Sequence, residues 1–193
     1  MVTFLLLAIC LPHVASSSPV TVAAGPFNVS LDIDTTKSLI YQPQYSNTRK
    51  DPGGETIAFY GLEIRDINTP EDAAKAQISI NEYESPISYG LEYKANQAAK
   101  LFQIIDGTVS VDYRTIDNNP GYVVKGVNEA GRIEYSSGYR IGKQIEVTIT
   151  GALPEISSIL DTIHIEKRPK PIVNGTLSGR TPVATPLSPH TAA

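Results

Sequence analysis

Three histidines, one cysteine and a scatter of carboxylates are the chemistry-bearing residues of this 193-residue chain, and they exclude more than they permit. Cys10 and His13 lie in the first thirteen residues and His190 in the last four, which leaves His164 as the sole histidine of the body. A thiolate nucleophile, a disulfide and a cysteine metal site are therefore excluded there. A histidine-based triad or zinc site would have to be built on His164 alone. His164 stands between Ile163 and Ile165, the pattern of a short strand, and reads as a structural or surface residue. Glu82 with Glu84, or Asp32 with Asp34, could share one face of a strand as a glycosidase pair does. Alternating charges are equally what a wet strand face carries, and a body of about 140 residues leaves little room for the cleft such hydrolases use. Asp117-Asn118-Asn119 offers oxygen donors for Ca2+, but the rest of an EF-hand loop is missing and the segment reads as a turn. Gly53-Gly54 and Gly142-Lys143 are ordinary turns without phosphate-binding spacing. These residues assign no catalytic group, cofactor or metal.

Ten tyrosines and no tryptophan remain as contact chemistry. Tyr113, Tyr122, Tyr135 and Tyr139 fall on strand signals and form a candidate surface for a protein or carbohydrate partner, because tyrosine offers a large amphipathic face at low entropic cost. A cross-strand aromatic cluster inside the sheet is the competing account of the same residues. Charge narrows the partner: 20 acidic residues against 16 basic ones give −4 overall. Residues 26–167 hold all of the acids and 13 of the bases, a net of −7. A nucleic-acid partner, which calls for clustered Lys and Arg, is excluded on that ground.

The elements that must position these residues follow from periodicity. Phe27, Val29, Leu31 and Ile33 alternate with polar neighbours and predict a half-buried strand, with Asn28 of the sequon Asn28-Val29-Ser30 on its wet side. Leu39–Tyr45 predicts an edge strand because Pro43 cannot donate to a ladder. Thr56–Ile64 is apolar on both faces and predicts a central strand. Thr69-Pro70-Glu71-Asp72 opens a short helix, and Gln77–Asn81 predicts another strand. Ser85-Pro86 introduces one long helix, Pro86 to about Ile105, with Ile87, Leu91, Ala95, Ala98, Leu101, Phe102 and Ile105 on its apolar side. Hairpin strands follow at Val109–Tyr113, Tyr122–Val127 and Arg132–Tyr139, then a strand Lys143–Thr150, a closing helix from Leu153 to about Asp161, and a last strand at Ile163–Ile165.

The two ends differ from the body. Phe4–Leu11 is a short apolar run followed by Val14-Ala15-Ser16-Ser17-Ser18, which reads as a signal peptide over residues 1–18 with a linker at 19–25. The apolar run stops at Pro12 and His13, too short to span a membrane. Residues 168–193 include 13 Pro, Gly, Ser or Thr among 26 and no acid. That composition predicts an extended, disordered tail, free or the stalk of an anchor outside this sequence, with a second sequon at Asn174-Gly175-Thr176.

The body, residues 26–167, is therefore expected to be an α+β domain: an antiparallel sheet of about eight strands flanked by one long and two short helices. The long helix entered through Glu84-Ser85-Pro86, the pair Gly121–Gly126 and Gly131–Tyr135, and the ending Ile156–Ile163 resemble the PsbP/Mog1-like family of α/β/α sandwiches. That resemblance implies a non-catalytic domain whose relatives act as exported lipoproteins, assembly subunits or small-GTPase partners. The sequence thus predicts a secreted or cell-surface binding or assembly module with a protein or carbohydrate partner at the envelope. A small carboxylate hydrolase and a structural envelope protein are the alternatives.

Overall fold

The computed structural model describes residues 17–34, 39–43, 46–51, 54–68, 75–103, 108–127 and 131–169. Its chain order is β1 (Ser17–Ala24), β2 (Phe27–Asp34), β3 (Leu39–Pro43), β4 (Asn47–Lys50), β5 (Thr56–Asp66) and β6 (Lys75–Tyr83). Helix α1 (Leu91–Gln103) follows, then β7 (Ser110–Ile116), β8 (Asn119–Val127), β9 (Ile133–Ile141), β10 (Ile145–Gly151), α2 (Ile156–Thr162) and β11 (His164–Lys167). The α+β class stands, with antiparallel sheet dominating.

The strands form two sheets. An eight-stranded sheet runs β3-β5-β6-β10-β9-β8-β7, with β4 also on β5, and a three-stranded sheet runs β1-β2-β11. The expected single sheet of about eight strands thus gains a second layer, whose first strand, β1, occupies the stretch read as a linker. Its ladder with β2 is regular from Ser17↔Asp34 to Ala24↔Phe27.

The main core lies between the layers. Phe27, Val29 and Leu31 of β2 meet Leu62 and Ile64 of β5, Ile78 and Ile80 of β6, Val147 and Ile149 of β10, and Ile156, Ile159 and Leu160 of α2. Strand alternation delivers these residues to one side, as the period of two requires. The opposite face of the large sheet carries α1, whose Ala95, Ala98, Ala99 and Phe102 cover Tyr122 and Val124 of β8. Two glycines let the helix and its aromatic layer sit that close: a Cβ at Gly126 would lie 2.5 Å from the Phe102 ring, and one at Gly138 2.9 Å from the Tyr122 ring.

Two helices, not three, are found among the described residues. Thr69–Asp72, where a short helix is expected, lies outside them. The long helix begins at Leu91 rather than Pro86 because tertiary bonds hold the preceding residues in an irregular path. Ile87 N–H donates to Lys143 O at 2.8 Å, and Tyr89 is engaged by strands β9 and β10. The turn between β7 and β8 is shorter than the sequence suggests. Asp117 and Asn118 alone form it, both with positive φ (50° and 58°), the two-residue hairpin geometry that favours Asx residues. Asn119, Pro120 and Gly121 already belong to β8.

Candidate functional site

The four tyrosines proposed as a surface are divided by the sheet. Tyr122 is buried beneath α1 and Tyr139 is buried in the main core. The reason is parity: the register pairs Gly121 with Tyr139 and Tyr122 with Gly138, so the two rings project to opposite faces, both covered. Tyr113 on β7 is 54% exposed, and Tyr135 is half-buried against the main core. The surface interpretation therefore narrows to Tyr113 and Tyr135.

Tyr135 adjoins two depressions. One, of about 300 Å³, runs beside α1 between Ala98, Leu101, Phe102 and Thr150. The other, of about 530 Å³, is lined by Arg132, Ile133, Ala152 and Pro154. Leu101, 67% exposed, lines the first and Ile133, also exposed, lines the second, so each depression carries one exposed large apolar side chain beside Tyr135.

At the other end of α1 lies a buried polar network that the sequence does not announce. Glu146 of β10 is only 4% exposed. Its carboxylate accepts from Tyr89 Oη at 3.1 Å on each oxygen and from Tyr83 Oη at 3.3 Å, while Lys94 Nζ of α1 lies 3.1 Å away. The two tyrosine hydroxyls are 2.9 Å apart. The Tyr89 ring lies between cations, with Lys94 Nζ 4.8 Å and the Arg140 guanidinium 5.0 Å from its centroid, and Arg140 donates to the Tyr89 carbonyl. Burial raises the pKa of both tyrosines, and the Glu146 charge raises it further. A carboxylate with its oxygens occupied and its charge matched ties α1, the 84–90 segment, β9 and β10 together. The only trace of it in sequence is Glu146 itself, an acid amid Ile145, Val147 and Ile149, and an outward position on an alternating strand does not reveal whether a helix covers it.

The groups weighed for catalysis are dispersed. Glu82 pairs with Lys167 of β11, while Glu84 lies just past the end of β6, where its Oε2 accepts the Thr56 N–H at 3.3 Å. Both line a shallow depression of about 250 Å³ with Thr56, Ala58 and Gln144. Asp32 N–H donates to Thr162 Oγ1 at 3.0 Å at the α2 seam. The Asp34 side chain, His13, Cys10, His190 and the Asn174 sequon lie outside the description. Asn28 sits on the outer side of β2 as its alternation requires, half-buried.

Asp117 and His164 do meet. Asp117 Oδ1 lies 2.7 Å from His164 Nδ1, and its Oδ2 accepts the Tyr139 hydroxyl at 3.2 Å and the Ile165 N–H at 3.0 Å. The aspartate side chain is 5% exposed and the imidazole 60%. So the residue expected to lie in a simple turn locks the β7–β8 hairpin to β11. Among the described residues no group of three or more His, Cys, Asp or Glu is arranged to hold a metal ion, and no helix is long and apolar enough to cross a membrane.

No protein-family model, curated protein or solved structure matches this chain.

Proposed function

We propose that this protein is an exported, non-catalytic binding or assembly module that acts at the cell surface or in the medium. The observation that carries this reading is the apolar surface around Tyr135: it borders two depressions, one lined by the exposed Leu101 and the other by the exposed Ile133, and exposed large apolar side chains beside a depression are what an interaction site offers. The polar groups add support, since Glu146, Glu82 and Asp117 are each committed to partners within the fold. Export rests on the apolar leader and the Ser16–Ser18 cleavage region. Kinship with the PsbP/Mog1-like domains rests on the order of a β-meander, a helix, antiparallel strands and a short closing helix; the three-stranded second layer is a departure from an α/β/α sandwich. The partner is a protein or a carbohydrate of the envelope.

A hydrolase reading draws on one observation, the Asp117–His164 pair, because an aspartate on Nδ1 is how a catalytic histidine is oriented. Ser30 stands opposite His164 in register, but its hydroxyl is bonded to Thr21 at 2.8 Å. A panel of chromogenic esters and glycosides, run alongside arrays of envelope glycans and peptides, separates the two. The binding reading expects saturable retention on an array, lost in Leu101→Asp, with no turnover above buffer. Turnover abolished by His164→Ala or Glu82→Gln would overturn it.

A further inference from the structure

We propose that β7 is a self-association edge: two copies of this chain pair β7 with β7, antiparallel about a two-fold axis at Tyr113, and join their eight-stranded sheets into one.

The two edges of the large sheet are unlike. At one, β3 and β4 are five and four residues long and β3 ends in Pro43, devices that discourage strand addition. At the other, β7 runs seven residues without Pro or Lys and pairs with β8 along its whole length. Because the hairpin turn has two residues, Ile116 and Asn119 form the hydrogen-bonded pair that closes it. The alternation then gives Ser110, Asp112 and Arg114 to β8, leaving the N–H and C=O groups of Val111, Tyr113 and Thr115 on the open edge. Among the described residues these groups have no partner. Two of the three side chains are exposed large apolar groups, Tyr113 at 54% and Val111 at 40%.

The sequence of β7 complements itself in one register. With Tyr113 on the axis, Val111 lies opposite Thr115 of the second copy, so all three free positions on each strand find hydrogen-bond partners. The intervening residues then place Asp112 opposite Arg114 of the second copy, twice, as non-hydrogen-bonded pairs whose Cα atoms are about 4.5 Å apart and whose side chains meet closely. Sliding the pairing by two residues either way sets Asp112 against Asp112 or Arg114 against Arg114 and forfeits hydrogen bonds. Charge therefore selects the central register and penalises its neighbours. Arg114 already donates to Asp161 of α2 at 2.7 Å, which holds its guanidinium beside the edge with further N–H groups to offer. The contact is isologous and closes at two copies, so it makes a dimer rather than a fibre.

The test is sedimentation of the full chain across a concentration series, with two charge variants. Asp112→Lys makes the edge wholly basic and Arg114→Glu makes it wholly acidic, so each alone opposes like charges across the axis, whereas a 1:1 mixture restores opposite ones. The wild type is expected to dimerise, each variant to weaken dimerisation by about tenfold or more, which is a readily measured change in Kd, and the mixture to recover it. Asp112→Lys alters an exposed side chain and keeps the Arg114–Asp161 pair; circular dichroism verifies its fold. Independently, Tyr113→Cys in a Cys10→Ser background is expected to cross-link to itself on oxidation, since a hydrogen-bonded pair places Cα atoms about 5.5 Å apart, within disulfide range. A wild type that stays monomeric at its highest soluble concentration, or a dimer indifferent to both charge variants, would overturn the proposal.

Discussion

Asp117 joins the two sheets through His164, its Oδ1 2.7 Å from the imidazole Nδ1 across the seam between the β7–β8 turn and β11. The same carboxylate takes the Tyr139 hydroxyl and the Ile165 N–H, so one turn residue satisfies a core phenol and the unpaired edge of the last strand. The second layer, α2 and the sheet edge are registered against each other at this point.

Asp117→Ala should cost about 2–4 kcal/mol in urea unfolding, because it leaves two buried donors without acceptors. His164→Ala, which removes an exposed partner, should cost less than about 1 kcal/mol. Equal losses in the two variants would show that the imidazole, not the backbone and phenol bonds, carries the contact.

Glu146→Ala should destabilise by about 3–5 kcal/mol, since Lys94 would lose its counter-charge and the Tyr83 and Tyr89 hydroxyls their acceptor. Adding Lys94→Met to that variant should recover part of the loss. A double-mutant cycle in thermal denaturation measures the coupling, and strict additivity would contradict the network.

Gly126→Val should lift α1 from the sheet, costing about 1–3 kcal/mol or more through overpacking against Phe102. Helical circular dichroism should fall with it. An unchanged melting temperature would mean that Phe102 has room to move.

Stability should decline in alkali. Burial raises the pKa of Tyr41, Tyr83, Tyr89 and Tyr139, and pushes Tyr122 up to about 12 with help from the Glu146 charge. Folded, these phenols hold protons that the unfolded chain releases from about pH 10. The unfolded state therefore binds fewer protons between about pH 10 and 12, and unfolding free energy drops as pH rises through that window. Denaturant titrations at successive pH values should show this slope, shallower in Tyr122→Phe.

Local periodicity made much of the fold legible. Phe27, Val29 and Leu31 sit inward as their alternation demands, as do Ile145, Val147 and Ile149, and Pro43 does end an edge strand. Strand β1 was hidden because Ala15–Ser18 suits a peptidase site as well as a strand start, and Val20 and Val22 gain a role only when β2 lies beside them. Helix α1 starts late because Tyr89 is held by residues more than fifty positions away, a bond no local pattern contains. The tyrosines could be placed on strands but not sorted, since parity says which rings share a face and not which faces are covered. The Asp117–His164 contact spans 47 positions and depends on the second layer, so neither residue alone suggested the other.

The most direct test of the functional account is site-specific photocross-linking in the native host, with a benzophenone side chain at Leu101 and, as a control, at Ile67, which is also exposed but lies beyond β5. A binding module that works through the Tyr135 surface should yield one discrete envelope or secreted adduct from position 101 and none from position 67. Equal diffuse labelling from both positions, or no adduct from position 101 in either cells or medium, would contradict it.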